Sequence, residues 1–463
     1  MDLSPVAKSI LEDPFLSKLA ALARKRGIPL FLVGGMIRDL LLGTHRYDYD
    51  LALPPEASSF IPEIEKALGF HFFLIGKEES GTATYRVIKP GLSVDLALLQ
   101  GETIDKDLLR RDFTVNAIAF SLSKETFHWV EGALDDISKH IIRTVTDQSI
   151  DQDPLRMLRA IRYLSSLDGF ELDGKLSAEL SLKKKLIEKV PAERIKMELD
   201  KILLSRRRTL GMEVLYKSGL LLTLFPELEG LELLDQGSYH HLNALSHTLL
   251  ALEKMSWALD WIGSRKPGIS PSEEDRLSLS YATLFHDLGK QNTLSRGEDG
   301  GVHFYRHEVD SCRAAEKTME RLRFPGLTKE KVLRLVGNHM TILTLSPQTK
   351  ESALKKLVNR MGELTPLLVA LTLADKEAGR GSLSILRDER IEALCLRILD
   401  LYGQKEVVHP PSLVTGHDVM ALGIEPGPRV GHLLERVREK QVVGEVRTRE
   451  EALKVLAEEV LLP

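Results

Sequence analysis

Cysteine is nearly absent: Cys312 and Cys395 are the only two, and neither belongs to a CxxC pair. That excludes a disulfide framework and a thiolate zinc site, so any metal must rest on carboxylates and histidines. Long apolar runs are missing too. No stretch approaches 18 consecutive apolar residues, which argues against a membrane-spanning helix. Asp2, Lys8, Glu12 and Asp13 interrupt the region where a signal peptide keeps an unbroken apolar core, so the expected location is cytoplasmic. An excess of one charge is also lacking. With 63 Lys and Arg against 67 Asp and Glu, the formal net charge is -4, and no global positive field draws in nucleic acid.

What is present is the balance of a globular protein, 43% hydrophobic and 28% charged over 463 residues, a length that calls for several domains. The runs FLVG (31–34), DLAL (50–53), HFFLIG (71–76), TATYRVIK (82–89) and SVDLALL (93–99) read as strands. Beyond about 146 the strand signals fade and Leu, Ala, Glu, Lys and Arg recur at helical spacing. The predicted fold class is therefore α+β, an α/β head over 1–145 with a small mixed sheet followed by all-helical segments. Breaks at Phe225-Pro226, Lys376 to Ser382 and His409-Pro410-Pro411 divide these into 146–225, 226–385 and 386–463. Residues 141–210 hold 15 Lys or Arg against 11 Asp or Glu, which is either a phosphate-facing surface or an ordinary solvated helix face.

In the head, Val33-Gly34-Gly35-Met36-Ile37-Arg38-Asp39 follows a strand and opens a helix, where backbone N–H groups can face an anion. Asp48-Tyr49-Asp50 then starts the next strand, and alternation puts both carboxylates on one face as a divalent cation site. Asp95 lies mid-strand in an apolar run; it should join that pair or be solvated, because an unpaired buried charge is costly. A Gly-Gly turn alone is usually a tight turn, and a DxD pair alone is usually a solvated strand end. In this order they fit nucleotidyl transfer, in which metals activate a 3′-hydroxyl and offset charge on the leaving pyrophosphate.

With Arg110-Arg111-Asp112-Phe113-Thr114-Val115-Asn116-Ala117, Asp153 to Tyr163 (DPLRMLRAIRY) and Pro191-Ala192-Glu193-Arg194, the chain resembles the bacterial tRNA nucleotidyltransferase and poly(A) polymerase family. The resemblance implies that Asp48 and Asp50 bind catalytic Mg²⁺, with Asp95 as the third acid. It implies that Gly34, Gly35 and Arg38 hold a triphosphate, and that Arg111, Asp112 and Asn116 contact phosphate and ribose. Asp153, Arg156, Arg159 and Arg162 recur every three residues on a predicted helix, and three arginines in a row repel unless an anion lies beside them. In the family, the first Asp and Arg of this helix pair with the incoming base, which would select CTP and ATP without a nucleic-acid template. Gln152 stands where the family usually has glutamate.

A second constellation comprises His247, His286-Asp287, His307, His339 and Asp375, with LFHDLGK at its centre. It resembles the HD-domain metal-dependent phosphohydrolases, whose histidines and aspartates ligate one or two divalent metals, a transition metal or Mg²⁺, and polarise water for attack on a phosphoester. The segment from Thr415-Gly416-His417-Asp418 to Gly431 resembles the family's tail, which touches the tRNA elbow.

The expected activity is thus Mg²⁺-dependent addition of C, or of C and A, to tRNA from CTP and ATP with release of pyrophosphate. tRNA is the expected partner, with neither DNA nor membrane. The alternatives are a poly(A) polymerase and an HD phosphohydrolase with an RNA-binding head. In CCA-adding relatives a long flexible loop precedes RRDFT, but here Arg110 follows Asp95 by only 15 positions. Members lacking that loop tend to stop after two C additions, so CC addition is the expected product unless Gly76 to Thr84 takes the loop's place.

Overall fold

Between residues 31 and 129 the short apolar runs become strands in a computed structural model that describes residues 2–44, 48–76, 83–236, 242–298, 301–380 and 389–460. They are β1 (Phe31–Val33), β2 (Asp48–Leu53), β3 (Phe73–Ile75), β4 (Thr84–Lys89), β5 (Leu92–Leu98), β6 (Ile118–Ser121) and β7 (Thr126–Trp129). The sheet order is β3-β4-β5-β2-β1-β6-β7. Every ladder is antiparallel except β2–β5, so the sheet is mixed. Sequence reading missed β6 and β7. Part of the stretch Gly76 to Thr84 lies outside the described residues, as does the end of the break at Lys376 to Ser382.

The period of two along β2 explains its two faces. Tyr49 points into the core, only 2% exposed, and its hydroxyl donates to Asp13 Oδ2 at 3.0 Å. The other Asp13 oxygen accepts from Phe15 N and Leu16 N and caps the helix Pro14–Arg26. That helix buries Leu16, Leu19, Ala20 and Ala23. With Tyr49 fixed underneath, Asp48 and Asp50 face the other way.

The chain divides into two compact units, 1–224 and 225–463. In the first, the sheet is followed by helices that include Arg156–Ser166 and Ala192–Leu204. In the second, the helices Ala244–Arg265, Glu273–Phe285, His307–Arg321, Gly326–Leu343 and Thr365–Ala378 precede a tail. The tail core is Val414, Val419, Leu433, Val437, Val446, Ala452 and Leu456. The helical remainder carries two small ladders that composition did not reveal: Ile141–Ile142 with Glu171–Leu172, and Leu294–Arg296 with Val302–Phe304. The helical stretch Glu351–Ala378 is long and apolar enough to cross a membrane by length and composition alone, but 78% of its most apolar window is buried in the fold.

Candidate functional site

Register assembles the first site. In the parallel ladder Asp50 stands opposite Asp95 and Asp48 opposite Ser93, which sets three acids on neighbouring positions of one face. Gly34 closes over them with φ +77°, a conformation that favours glycine. A Cβ there would lie 3.1 Å from Arg111 Nη1 and 3.7 Å from Asp50 Oδ2. Burial, then the charge of Asp48, pushes Asp50 up to about 6. Crowded acids of this kind suit a divalent cation, so these residues fit the metal that the resemblance implies.

Asp95 joins the row, one of the two places the sequence allowed it, and it also gains a partner that the sequence did not reveal. Arg86, opposite it in the antiparallel ladder, donates from Nε to Oδ1 at 2.6 Å and from Nη2 to Oδ2 at 2.5 Å.

Beside this row runs a buried hydrogen-bond chain. Arg38 reaches Asp39 Oδ1 through Nε and Nη2, and Asn116 Oδ1 through Nη1. Asn116 Nδ2 donates to Asp112 Oδ1, which also accepts from Phe113 N. The Arg159 fork takes Asp112 Oδ2. Asp112, expected to meet a ribose hydroxyl, thus spends both oxygens inside the protein. Burial alone would raise its pKa, yet Arg159 and Asn116 hold its carboxyl below the usual range. Arg162 pairs with buried Glu198 at 3.2 Å, and the Arg38, Arg159 and Arg162 guanidiniums all lie within 6 Å of the Tyr163 ring centroid. The anions needed beside the arginine row are therefore Asp112 and Glu198, supplied by the protein.

The expected helical register also needs correcting at its start. Asp153 is extended, with φ −143° and ψ 97°, and the helix begins at Arg156. Asp153 Oδ2 accepts from Arg194 Nη2 at 2.9 Å, and Leu155 N donates to Oδ1. Arg156 donates to the carbonyls of Arg110 and Ser149.

Arg86, Glu198 and Asp107 were not singled out from sequence, and Arg194 was noted only as the end of the Pro191-Ala192-Glu193-Arg194 motif. Asp107 accepts from Gln100 N at 2.9 Å and faces Arg111 Nη2 at 3.4 Å. It thereby ties down the five residues between Leu98 and Ile104. At Gly101 a Cβ would come 2.9 Å from Lys106 Cβ, so this connection is also tight.

The second constellation gathers as expected. His247, His286 and Asp375 form one group and Asp287, His307 and His339 another, with ligand atoms within 4.8 Å of one another in each. His286, His307 and His339 donate from Nδ1 to the carbonyls of Thr283, Phe304 and Val336 respectively, each three residues earlier in the chain. This fixes the tautomer and aims each Nε2 inward. His307 and His339 Nε2 are 3.0 Å apart, and His247 Nε2 lies 2.8 Å from Asp375 Oδ1. His286 Nε2 is 3.2 Å from Asp287 Oδ2, yet buried without an aligned hydrogen bond. Burial favours a neutral His286, but Asp287 and Asp375 together outweigh it and lift the ring to about 10, whereas burial and His286 push His339 down to about 3. Lys290 steadies Asp287 at 2.7 Å. Inward-aimed imidazoles around the buried Asp287 and the part-buried Asp375 carboxylates fit a divalent metal.

In the tail, Thr415 and Asp418 form a capping box that opens the helix Gly416–Ala421. Arg449 secures Asp418, which gives that part of the motif a structural purpose.

Residues 30–143 match the poly A polymerase head domain, 240–379 the HD domain and 376–457 tRNA nucleotidyltransferase domain 2. The A-adding tRNA nucleotidyltransferase of Deinococcus radiodurans is 33% identical, covering 91% of this chain and 93% of the relative. The CC-adding tRNA nucleotidyltransferase of Thermus thermophilus is 34% identical, covering 91% and 92%. A solved CCA-adding enzyme in complex with CTP superposes with a TM-score of 0.65 at 21% identity over 100% of this chain and 99% of that one. The Thermotoga maritima CCA-adding enzyme complexed with tRNA superposes with a TM-score of 0.62 at 21% identity, covering 99% of each.

Proposed function

The chain belongs to the tRNA nucleotidyltransferase and poly(A) polymerase family, and we propose that it adds CC to the 3′ end of tRNA from CTP, leaving the terminal A to a separate enzyme. Identity does not choose between products, since an A-adding and a CC-adding relative stand at 33% and 34%. The carrying observation is the short connection from Leu98 to Ile104, tied by Asp107 to Gln100. A pocket that takes C and then the larger A needs a conformational step. A connection this short and this tied supports a pocket that stays at one size.

In this reading Asp48 and Asp50 hold Mg²⁺, which when bound offsets triphosphate charge and activates the tRNA hydroxyl. Arg111, against Gly34 and Asp50, meets phosphate through its guanidinium. Asp153 and Arg156 read the base edge, the first oriented by Arg194 and the second by the Arg110 and Ser149 carbonyls. Arg38, Asn116, Asp112 and Arg159 keep the turn after β1 and the base-reading helix in a fixed relation. The test is product length on a tRNA ending before CCA, with CTP and ATP both present. Two added C residues are expected; efficient three-nucleotide ends would overturn the CC reading. Asp50→Ala should abolish all addition while tRNA binding persists.

For the unit 225–463 we propose metal-dependent phosphohydrolysis at the His–Asp cluster, supported by the two ligand groups. A divalent metal bound there would polarise the attacking water. Loss of phosphomonoester or cyclic phosphodiester hydrolysis in His286→Ala is the expected result.

A further inference from the structure

Across three strands of the head, Arg86, Asp95 and Asp50 follow one another on a single face, because Arg86 is the register partner of Asp95 and Asp95 that of Asp50. Arg86 grips both Asp95 oxygens at once. A bidentate fork of this kind is short and directional; it takes one acceptor site on each Asp95 oxygen and offsets the charge that would draw in a cation. The two side chains differ in exposure, 42% for Arg86 and 22% for Asp95. The guanidinium can therefore swing toward solvent or toward a phosphate while the carboxylate stays in the row.

The charges set the consequence. Three bare carboxylates side by side would capture a divalent ion before any nucleotide arrived. With Asp95 occupied, only Asp48 and Asp50 remain, and the Arg86 charge opposes the ion as well. Resting on the proposed metal role of Asp48 and Asp50, we propose that Arg86 is a positioning residue that keeps Asp95 out of the resting metal site. Cation binding by the nucleotide-free head is therefore weak, and it strengthens when Arg86 lets go of Asp95.

The test is Mn²⁺ binding to the full-length, nucleotide-free protein, read by electron paramagnetic resonance of free Mn²⁺. The head's share is the component lost in Asp50→Asn. Arg86→Gln should tighten that component about tenfold or more, since a neighbouring positive charge is removed and a third acid freed. Asp95→Asn should weaken that component while leaving it measurable, because Asp95 does not hold the ion at rest but the Arg86 charge it leaves uncompensated opposes the ion. Unchanged Mn²⁺ affinity in a folded Arg86→Gln overturns the inference. So does an Asp95→Asn that loses as much binding as Asp50→Asn, an arm that decides the matter even if Arg86→Gln does not fold. Retained nucleotide addition in Asp50→Asn would instead overturn the metal role of the dyad, so the two failures are distinguishable.

Discussion

The Asp112 carboxylate shows how much a single side chain carries in the head. It is 8% exposed and accepts four hydrogen bonds, from Phe113 N, Asn116 and the two prongs of Arg159. Asp112→Asn leaves the Arg159 fork facing an amide and should cost about 3 kcal/mol or more of unfolding free energy, measured by urea denaturation. The pH dependence has a definite sign. The folded pKa of Asp112 is lowered, so its contribution is complete above the unfolded value near 4 and is lost as pH falls through the folded value. The variant should therefore lose less stability than wild type on acidification. At this scale the sequence was legible where order alone carries meaning, as in Gly34-Gly35 followed by Asp48 and Asp50. Arg86 was illegible because nothing in its own run distinguishes it; its partner lies nine residues on and is fixed only by strand register. Glu198 was hidden likewise, an acid on a helix whose arginine partner is 36 residues back in the chain.

Among the elements, strands rich in branched and aromatic residues announced themselves, whereas β6 and β7 did not. The run Ile118–Ser121 is too short for its pattern to stand apart from the preceding Asn116-Ala117, and β7 owes its pairing to β6. The break at Asp153 was misread as continuous helix because the three-residue arginine period runs up to it without interruption. The helix actually begins at Arg156, after Pro154, since the residue before a proline is pushed out of the helical region. For the connector between β5 and the helix Ile104–Leu108, length was plain from sequence and its fixation by Asp107 was not. Asp107→Ala frees Gln100 N and removes a partner of Arg111. The expected result is slower C addition together with some appearance of three-nucleotide ends, both read on one product-length gel.

Taken as a whole molecule, the chain keeps its two constellations in separate units, the acid row within 1–224 and the His–Asp cluster within 225–463. His286→Ala should abolish the proposed hydrolytic activity and leave the rate of nucleotide addition unchanged. Chelation supplies an independent check. A ligand that binds only the folded state stabilises it by about 2.7 kcal/mol at a hundredfold excess over Kd. Removing divalent metal from wild type should therefore lower the thermal midpoint of the 225–463 unit, and His286→Ala should remove most of that response. Both constellations were readable because HD and DxD stand within or beside regular elements. What could not be read was the tethering of the His286, His307 and His339 rings to carbonyls three residues earlier, which depends on side-chain rotamers.

The register that places Arg86 beside Asp95 also sets an order in time. β3, β4 and β5 form a meander of sequence neighbours, so Arg86 and Asp95 meet within one hairpin, an event of roughly 1–10 μs. Asp50 meets Asp95 only through the parallel β2–β5 ladder, which must close a far longer stretch of chain. Asp95 is thus expected to arrive already paired with Arg86, so that its repulsion of Asp50 is eased before their strands dock. Arg86→Gln should slow refolding of the head in low salt, and added salt should restore much of the rate, as stopped-flow fluorescence would record.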